Sequence, residues 1–414
     1  MSYKIITGHT IEGLETLEAE SVQTCVTSPP YWGLRDYGDS GQEWPEVTFC
    51  PVAGLPPLTI PAQRAALGLE ADPWAYVGHM VEVFRAVRRV LRADGTLWLN
   101  LGDSYSTIPG NTKTGLNERM GSSIGAGKQG APEGLIVRGK FTHGLKPKDL
   151  CGIPWRVAYA LQADGWYLRS EIIWHKPNPM PESVTDRPTK GHEQVFLLSK
   201  RPKYFYDVDA VREAASTADR KGERRSYPPG SASSMNNGQH IVNGAAPRLP
   251  LNPRGVNLRT VWTMAAKPYP GAHFAVFPPA LPARCIKAGT SEFGCCSGCG
   301  APWVRTTAII KPGTREGGSA RAVAMGHSSH GPTACNRAGA PAQKETTGWD
   351  RTCECVADRV PCLVLDPFSG AGTTGMIAKR LRRDYIGTEQ NETYAEQSRR
   401  RIEADAPLFN RGQG

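Results

Sequence analysis

The segment "VLDPFSGAGTTGMIAKRL" near the carboxyl end of the chain constrains the possible folds more than any other feature. A short apolar strand ends at Asp366, a turn containing Gly370 and Gly372 follows, and a helix is predicted to begin near Thr373. Glycines let the backbone of such a turn approach a ligand closely, and the first turn of a helix offers free N–H groups. This glycine turn (residues 366–373) therefore predicts a ligand site at the edge of a wound α/β sheet.

A second strand, "DYIGTE", ends in Glu389, about 20 residues beyond the glycine turn, where an acid can accept hydrogen bonds from both hydroxyls of a ribose. The two features together indicate a nucleoside-type cofactor. NAD(H) is one alternative, but the turn carries Asp366 and Phe368 where a pyrophosphate needs backbone amides and neutral surface. A carboxylate at this place suits a zwitterionic ligand with an ammonium group, which favours S-adenosylmethionine.

Predicted strands and helices alternate along the chain, which indicates a doubly wound, mostly parallel sheet. An amphipathic helix over "YVGHMVEVFRAVRRVLRADG" is predicted to close at Asp94–Gly95, and another over "GIPWRVAYALQADGW" to end near Gly165. The strands "YLRSEIIWHKP" and "EQVFLLSK" follow one another closely, so we expect a hairpin at an edge of the sheet.

The proline loop (residues 28–31) follows the predicted strand "SVQTCVT", so it should lie at the carboxyl edge of the sheet, where ligands bind. Pro29 and Pro30 fix the chain and leave carbonyl groups as pure acceptors, Ser28 adds a hydroxyl acceptor, and Tyr31 supplies a flat aromatic face. This combination suits an exocyclic amino group on a planar base. Acceptors placed off the ring plane favour a pyramidal nitrogen, which frees its lone pair to attack a sulfonium methyl group. A base within a duplex has to flip out to reach such a pocket.

The stretches "TSPPYW" and "DPFSGAGTTG" resemble the catalytic and cofactor motifs of the DNA methyltransferases that modify N4 of cytosine or N6 of adenine. Their order, with the catalytic motif early and the cofactor motif late, is similar to the permuted β subgroup. The resemblance implies a circularly permuted, mostly parallel seven-stranded sheet of the S-adenosylmethionine-dependent methyltransferase type. It also implies methyl transfer from S-adenosylmethionine to an exocyclic amino nitrogen in DNA.

The resemblance assigns roles to individual residues. The catalytic loop corresponds to Ser28, Pro29, Pro30 and Tyr31. The cofactor-binding residues correspond to Asp366, Phe368, Gly370, Gly372, Thr373, Thr374 and Glu389, together with Phe277 and Pro278 ahead of the glycine turn.

Two positions bear on the base that is methylated. Family members with serine before Pro-Pro-Tyr are mostly N4-cytosine enzymes, so Ser28 favours cytosine, with N6-adenine as the alternative. After the first strand the family often has Gly-Asp, whose acid can touch adenine, whereas this chain has Gly8-His9. We interpret His9 as a turn residue and not as a general base in catalysis.

Four cysteines are paired by close spacing, as Cys296-x-x-Cys299 and Cys353-x-Cys355. Four thiolates complete a tetrahedral zinc site, and with every position filled by protein the metal would be structural. Cys295 is an alternative ligand, but only Cys296 has the two-residue spacing to Cys299. Unpaired surface thiols in a glycine-rich insertion are the chemically unattractive alternative.

The formal net charge of +10 suits a polyanionic partner, and we expect double-stranded DNA. The run "RKGERR" with Arg254 and Arg259 lies in a basic, irregular segment that resembles a target-recognition region. The sequence contains no run of about 18 apolar residues, so it predicts no membrane span. We expect a cytoplasmic protein. A cognate restriction endonuclease is left open. The alternatives are a non-catalytic zinc-dependent DNA-binding protein and methylation of RNA or a small amine.

These interpretations predict a modular chain. The parts are 1–211 as the catalytic half with a mobile loop at 104–147, 212–258 as the target-recognition insertion, 259–290 with 357–414 as the cofactor-binding half, and 291–356 as a zinc-binding insertion.

Overall fold

Strands and helices alternate through most of the chain. The computed structural model describes residues 2–33, 41–106, 144–214, 255–266, 276–310 and 343–405. The strands within them are β1 (Tyr3–Thr7), β2 (Val22–Thr27), β3 (Gln42–Trp44), β4 (Val47–Phe49), β5 (Leu58–Ile60), β6 (Gln63–Ala65), β7 (Leu91–Leu101), β8 (Tyr167–His175), β9 (His192–Ser199), β10 (Val261–Thr263), β11 (Cys295–Cys296), β12 (Val304–Ile310), β13 (Gln343–Asp350), β14 (Arg359–Val360), β15 (Leu363–Asp366) and β16 (Asp384–Glu389). The helices are α1 (Thr10–Glu15), α2 (Pro73–Val90), α3 (Ile153–Ala163), α4 (Ala280–Gly289), α5 (Thr373–Arg380) and α6 (Glu392–Ala404), with a 3₁₀ turn at Val208–Val211.

The chain divides into two compact units. The larger unit comprises Met1–Asp207, Thr260–Pro302 and Thr352–Gly414. The smaller unit comprises Val208–Arg259 and Trp303–Arg351.

An eight-stranded sheet forms the centre of the larger unit, in the order β1-β16-β15-β2-β7-β9-β8-β10. All neighbouring pairs are parallel except those that β9 makes with β7 and β8, so the predicted hairpin of β8 and β9 is confirmed. The sheet has one strand more than the seven expected, because β10 adds three residues beside β8. It is β10, and not the hairpin, that occupies the edge.

Helices cover both faces of this sheet. Helices α1, α2 and α3 pack against one another, and α4, α5 and α6 form a second packed group. Strand β2 lies between them and is buried at all six positions, as expected for a parallel strand with both faces covered. The doubly wound, mostly parallel architecture predicted from the sequence is confirmed.

Helix α2 ends earlier than predicted. It stops at Val90, and the backbone is already extended at Leu91, where β7 begins. Gly95 serves close strand packing and not a helix cap, since a β-carbon there would lie 2.7 Å from the Leu91 side chain and 3.0 Å from the Gln23 carbonyl oxygen. The Asp94-Gly95 pair therefore lies inside a strand.

The smaller unit contains an antiparallel hairpin of β12 and β13 with a register irregularity at Thr306/Thr307. Arg305 lies 4.5 Å from the ring centre of Trp349, and Arg351 lies 5.1 Å from that of Trp303. Elsewhere in this unit Glu213 and Val256 form an antiparallel bridge.

Several sequence expectations concern residues that the structure does not describe. Most of the 104–147 loop, the "RKGERR" run, Arg254 and the middle of the 291–356 insertion lie outside the described residues. Among the helices that are described, none combines the length and the apolar character needed to cross a membrane.

Candidate active site

Two loops from opposite ends of the chain meet at one edge of the sheet. Strand β15 pairs with β2, with Leu365 opposite Cys25, so the glycine turn and the proline loop leave the sheet side by side. Both line a cavity of about 520 Å³. The sequence-predicted residues that line it are Ser28, Pro29, Pro30, Tyr31, Phe277, Asp366, Phe368, Gly370, Thr373 and Glu389. Pro278, Gly372 and Thr374 do not line it.

Hydrogen bonds from neighbouring segments fix the proline loop and the residue that follows it. The buried Trp32 indole N–H donates to the Glu70 carbonyl at 2.9 Å, and the Tyr76 hydroxyl donates to the Pro30 carbonyl at 2.9 Å. The Pro29 carbonyl has no donor in the described part of the chain. The sequence predicts that both proline carbonyls are available as acceptors. In the structure the Pro30 carbonyl already accepts from Tyr76, and only the Pro29 carbonyl remains available.

A buried acid–imidazole pair supports this arrangement. His79 Nδ1 lies 2.8 Å from Glu70 Oε1, with both side chains inaccessible to solvent. The other Glu70 oxygen accepts from the Gly68 backbone N–H at 2.8 Å, and burial raises the pKa of Glu70. Trp44, which lines the cavity, stacks on His79 with ring centres 4.2 Å apart. The pair thus fixes both the loop beneath Trp32 and one wall of the cavity.

Tyr31 is held at its ring and at its hydroxyl. A β-carbon on Gly102 would lie 2.5 Å from the tyrosine ring, so the ring rests directly on backbone at the end of β7. The hydroxyl donates to Glu193 Oε2 at 2.6 Å and accepts from Ser28 Oγ at 3.2 Å and from Asn100 Nδ2. The ring remains partly exposed in the cavity wall.

Asp366 is the buried acid of the glycine turn, only 2% exposed. Its carboxylate accepts from the hydroxyls of Thr27 and Thr374, each at 2.7 Å, and from the Phe368 backbone N–H at 3.1 Å. Desolvation raises the pKa of Asp366 to about 7, against these hydrogen bonds. Thr374 therefore acts on Asp366 and is not a wall of the cavity.

Glu389 ties the glycine turn to the end of β16. Its Oε2 accepts from Gly370 N at 2.8 Å, and its Oε1 accepts from Asn391 N at 3.0 Å. Gly372 adopts φ +72°, and a β-carbon there would lie 2.4 Å from Ser398 Oγ, so glycine is needed for α6 to pack closely. The Glu389 carboxylate thus joins the glycine turn to the segment that follows β16.

His9 has the local role expected of a turn residue. It precedes α1, and its Nδ1 accepts from the Ile11 backbone N–H at 3.1 Å. Its ring meets Trp44 edge-on, with centres 5.5 Å apart. A helix cap accounts for histidine at this position.

The four paired cysteines converge as the spacing predicts. Their sulfur atoms lie within 4.8 Å of one another. A tetrahedral Zn–S₄ site with bonds near 2.3 Å needs sulfurs about 3.8 Å apart, so the cluster is close to that geometry. The backbone N–H groups of Gly298 and Cys299 donate to Cys296 Sγ, which suits a thiolate ligand. The donor set fits a structural zinc ion.

This cluster lies at the amino ends of β2 and β7, whereas the cavity lies at the carboxyl end of β2. Gln23, at the start of β2, donates to the Gly300 carbonyl at 3.2 Å, and Arg92, at the start of β7, donates to the Cys299 carbonyl. The proline loop begins at the other end of β2, roughly 15–20 Å away at strand rise. A metal here can organise the fold but cannot reach groups in the cavity.

Sequence reasoning missed several polar residues of the site. Asn100 and Glu193 hold the Tyr31 hydroxyl, and Glu70 with His79 supports the proline loop. For Asn100 and His79 the available signal was a polar residue inside an apolar run, as in "LWLNL" and "YVGHMVEVF". Glu193 precedes the run "VFLL" and carried no such signal. Their partners depend on strand pairing, which the local pattern does not disclose.

Several known proteins are similar to this chain in sequence or in structure. The family profile described as DNA methylase, of the N6/N4 methyltransferase type, matches residues 22–296 and 362–400. The chain is 35% identical over 401 residues to the type II methyltransferase M.SmaI of Serratia marcescens, covering 97% of this chain and 91% of that protein. It is 33% identical over 398 residues to the type II methyltransferase M.Cfr9I of Citrobacter freundii, covering 96% and 87%. The solved structure of the PvuII DNA methyltransferase (cytosine-N4-specific) covers 99% of this chain and 92% of its own, at 15% identity and a TM-score of 0.47.

The buried state of Asp366 predicts a pH dependence of stability. Because its pKa is raised to about 7, the folded cofactor-free protein keeps the proton in a range where the unfolded chain, with a pKa near 3.9, releases it. The stabilising contribution is therefore complete below about pH 4 and is lost as pH rises through 7. Urea unfolding between pH 5 and 8 should show Asp366→Asn gaining stability relative to the parent as pH rises. Parallel pH profiles for the two proteins would contradict this assignment.

Proposed function

The chain belongs to the DNA methylase family of N6/N4 amino-methyltransferases, and we propose that it methylates the exocyclic N4 of cytosine within a specific double-stranded DNA sequence. Membership makes it an S-adenosylmethionine-dependent DNA methyltransferase. The proposal adds the base, the strandedness of the substrate and the residues that act.

The observation that carries the proposal is the shared cavity. The proline loop and the glycine turn lie some 340 positions apart in sequence, as Thr27 and Asp366 do, yet the hydroxyl of Thr27 bonds directly to the carboxylate of Asp366. Methyl transfer requires donor and acceptor held in line within a few ångströms. One cavity bordered by both loops meets that requirement.

The glycine-turn side of the cavity fits S-adenosylmethionine. Its volume of about 520 Å³ lies within the range typical of small-molecule sites. We assign Glu389 to the ribose hydroxyls, since it lies at the carboxyl end of β16 and its side chain lines the cavity. Asp366, Phe368 and Phe277 are assigned to the methionine end. The cofactor supplies an electrophilic methyl group.

The opposite side fits an extrahelical base. Ser28 Oγ and the Pro29 carbonyl are assigned as acceptors for the amino hydrogens, and the face of Tyr31 as the surface against which the base stacks. Acceptors off the ring plane draw the amino group toward pyramidal geometry, so its lone pair faces the methyl group. Positioning and electrostatics carry the reaction without a covalent enzyme intermediate. Flipping the base costs a few kcal/mol.

Ser28 favours cytosine within this family. The adenine-contacting acid often found after the first strand is replaced by His9, whose ring nitrogen caps α1. N6-adenine is the alternative product, since the family includes both activities.

We expect labelled S-adenosylmethionine to transfer its methyl group to unmethylated double-stranded DNA. Digestion of the product to nucleosides and mass spectrometry should then give N4-methyl-2′-deoxycytidine. Recovery of N6-methyl-2′-deoxyadenosine would replace the cytosine assignment while leaving the enzyme class intact. Absence of label in DNA with folded protein would favour a non-catalytic DNA-binding role.

Replacing Tyr31 with alanine should lower the methylation rate by at least about 10-fold, the value of one base–aromatic stack. Cofactor affinity, measured by calorimetry, should change little because the substitution lies on the base side of the cavity. Tyr167→Ala, which removes a 44% exposed tyrosine from β8, is the matched control. Equal methylation rates for the Tyr31 variant and the parent would refute the stacking role.

The wider assignments rest on the relatives and on charge. The type II methyltransferases that match nearly the whole chain support a place in restriction-modification, with a cognate endonuclease as the implied partner. We assign target recognition to 212–258 and metal binding to 291–356, the latter largely coinciding with the gap between the two matched segments of the family profile. The two chain ends share one sheet, which supports the permuted arrangement.

We also propose that the cysteine cluster holds one structural zinc ion. Four thiolates at near-tetrahedral spacing, together with backbone donors to Cys296, support this. The ion would join the 295–300 turn to the 353–355 segment at the edge of the sheet opposite the cavity.

Purified protein should contain one zinc per chain by elemental analysis, and Cys296→Ser or Cys353→Ser should lose it. Because structural zinc contributes directly to folding free energy, both variants and chelator-treated protein should melt at a lower temperature. Cys50→Ser, which lies outside the cluster, is the control and should keep the metal. Metal-free protein with an unchanged melting temperature would overturn the proposal.

A further inference from the structure

We infer that Ser28, Tyr31 and Glu193 form a proton relay that removes the proton released by the amino group during methylation. The inference rests on the proposed function, because it requires the amino group to donate a hydrogen bond to Ser28. It holds for cytosine and for adenine alike. It gives Glu193, which no sequence motif singled out, a part in the reaction.

The hydrogen bonds run in one direction. Ser28 Oγ donates to the Tyr31 hydroxyl at 3.2 Å, and that hydroxyl donates to Glu193 Oε2 at 2.6 Å. Asn100 Nδ2 donates to the Tyr31 hydroxyl and, at 2.8 Å, to Glu193 Oε2. With two donors directed at its oxygen, the tyrosine hydroxyl points its own hydrogen at the carboxylate of Glu193. A chain of donors therefore leads from the proline loop to Glu193.

The chemistry explains why a terminal acid is needed. As the methyl carbon leaves sulfur and bonds to the amino nitrogen, that nitrogen gains positive charge and must lose a proton. A serine hydroxyl cannot hold an additional proton unless it passes its own proton on. Ser28 takes the amino proton, Tyr31 takes the serine proton, and Glu193 takes the tyrosine proton. The result is a neutral methylated amine, two neutral hydroxyls and a protonated Glu193.

The far end of the relay reaches solvent. Glu193 Oε1 accepts from Lys176 Nζ, and the two side chains are 14% and 22% exposed. Lys190 is the charged neighbour of both side chains, and burial lowers the pKa of Lys190 although Asp103, Glu193 and Glu182 act on it in the opposite direction. Each turnover starts from an ion pair and ends with a neutral acid beside Lys176, which water can then deprotonate.

A simpler alternative is that Glu193 only fixes the orientation of Tyr31. The two roles differ in one respect, because a fixing role needs a hydrogen-bond acceptor whereas a relay needs a group that can take up a proton. Glu193→Gln keeps an acceptor but removes the proton site. Glu193→Ala leaves space into which formate can bring a carboxylate.

The test measures single-turnover transfer of tritiated methyl from S-adenosylmethionine to unmethylated lambda phage DNA. Glu193→Gln and Tyr31→Phe should each slow transfer by about 100-fold, the lower range for general acid–base catalysis, with no further loss in the double variant. Formate, compared with chloride at equal ionic strength, should restore Glu193→Ala but not Tyr31→Phe. Glu20→Gln, which removes a comparable ion pair with Lys200 at the amino end of β2, should match the parent.

The outcomes separate the relay from the function on which it rests. Parental transfer with an unchanged rate in Glu193→Gln, or a slow Glu193→Ala that formate does not restore, would overturn the relay and leave the methyltransferase proposal in place. No transfer by the folded parent would overturn both. Restoration by formate also shows that Glu193→Ala is folded.

Discussion

The pairing of β15 with β2 is the contact on which the site depends. It is short, with Val364 opposite Thr24 and Leu365 opposite Cys25, and it joins segments from the two ends of the chain. Because parallel strands end at the same edge, it delivers the proline loop and the glycine turn to one cavity. β1 and β16, also from the two ends of the chain, pair in parallel, with Thr7 opposite Glu389. Every assignment to cofactor or base follows from this register.

Local sequence predicted the parts of the site whose chemistry lies within a few residues. The proline loop and the glycine turn were found because prolines, glycines and a following helix determine their shape. Glu193 and Asn100 were missed because their role depends on β7 and β9 being neighbours, a long-range antiparallel pairing. Strand β10 was too short to predict as part of the sheet, and Asp94-Gly95, a usual helix stop, instead lies within β7.

The site concentrates buried acids at some cost to stability. Burial raises the pKa of both Asp366 and Glu70, so neither carboxylate is in an environment that favours its charge. Each is nevertheless held by several donors, which keeps its position defined. Polar groups that are already in position lower the reorganisation free energy of a reaction. If the cysteine cluster at the other end of the strands binds a metal, the folding free energy gained there can offset part of the stability lost by burying the two acids.

The late position of β15 and β16 in the chain also affects the newly made protein. A ribosome releases the proline loop early, but the segment carrying Asp366 and Glu389 follows only after more than 300 further residues have been made. Until then Thr27 has no Asp366 carboxylate to which it can bond, and the cavity has only its proline-loop side. Chains that end before β15 therefore lack the wall of the cavity that the glycine turn forms, although their proline loop is already complete.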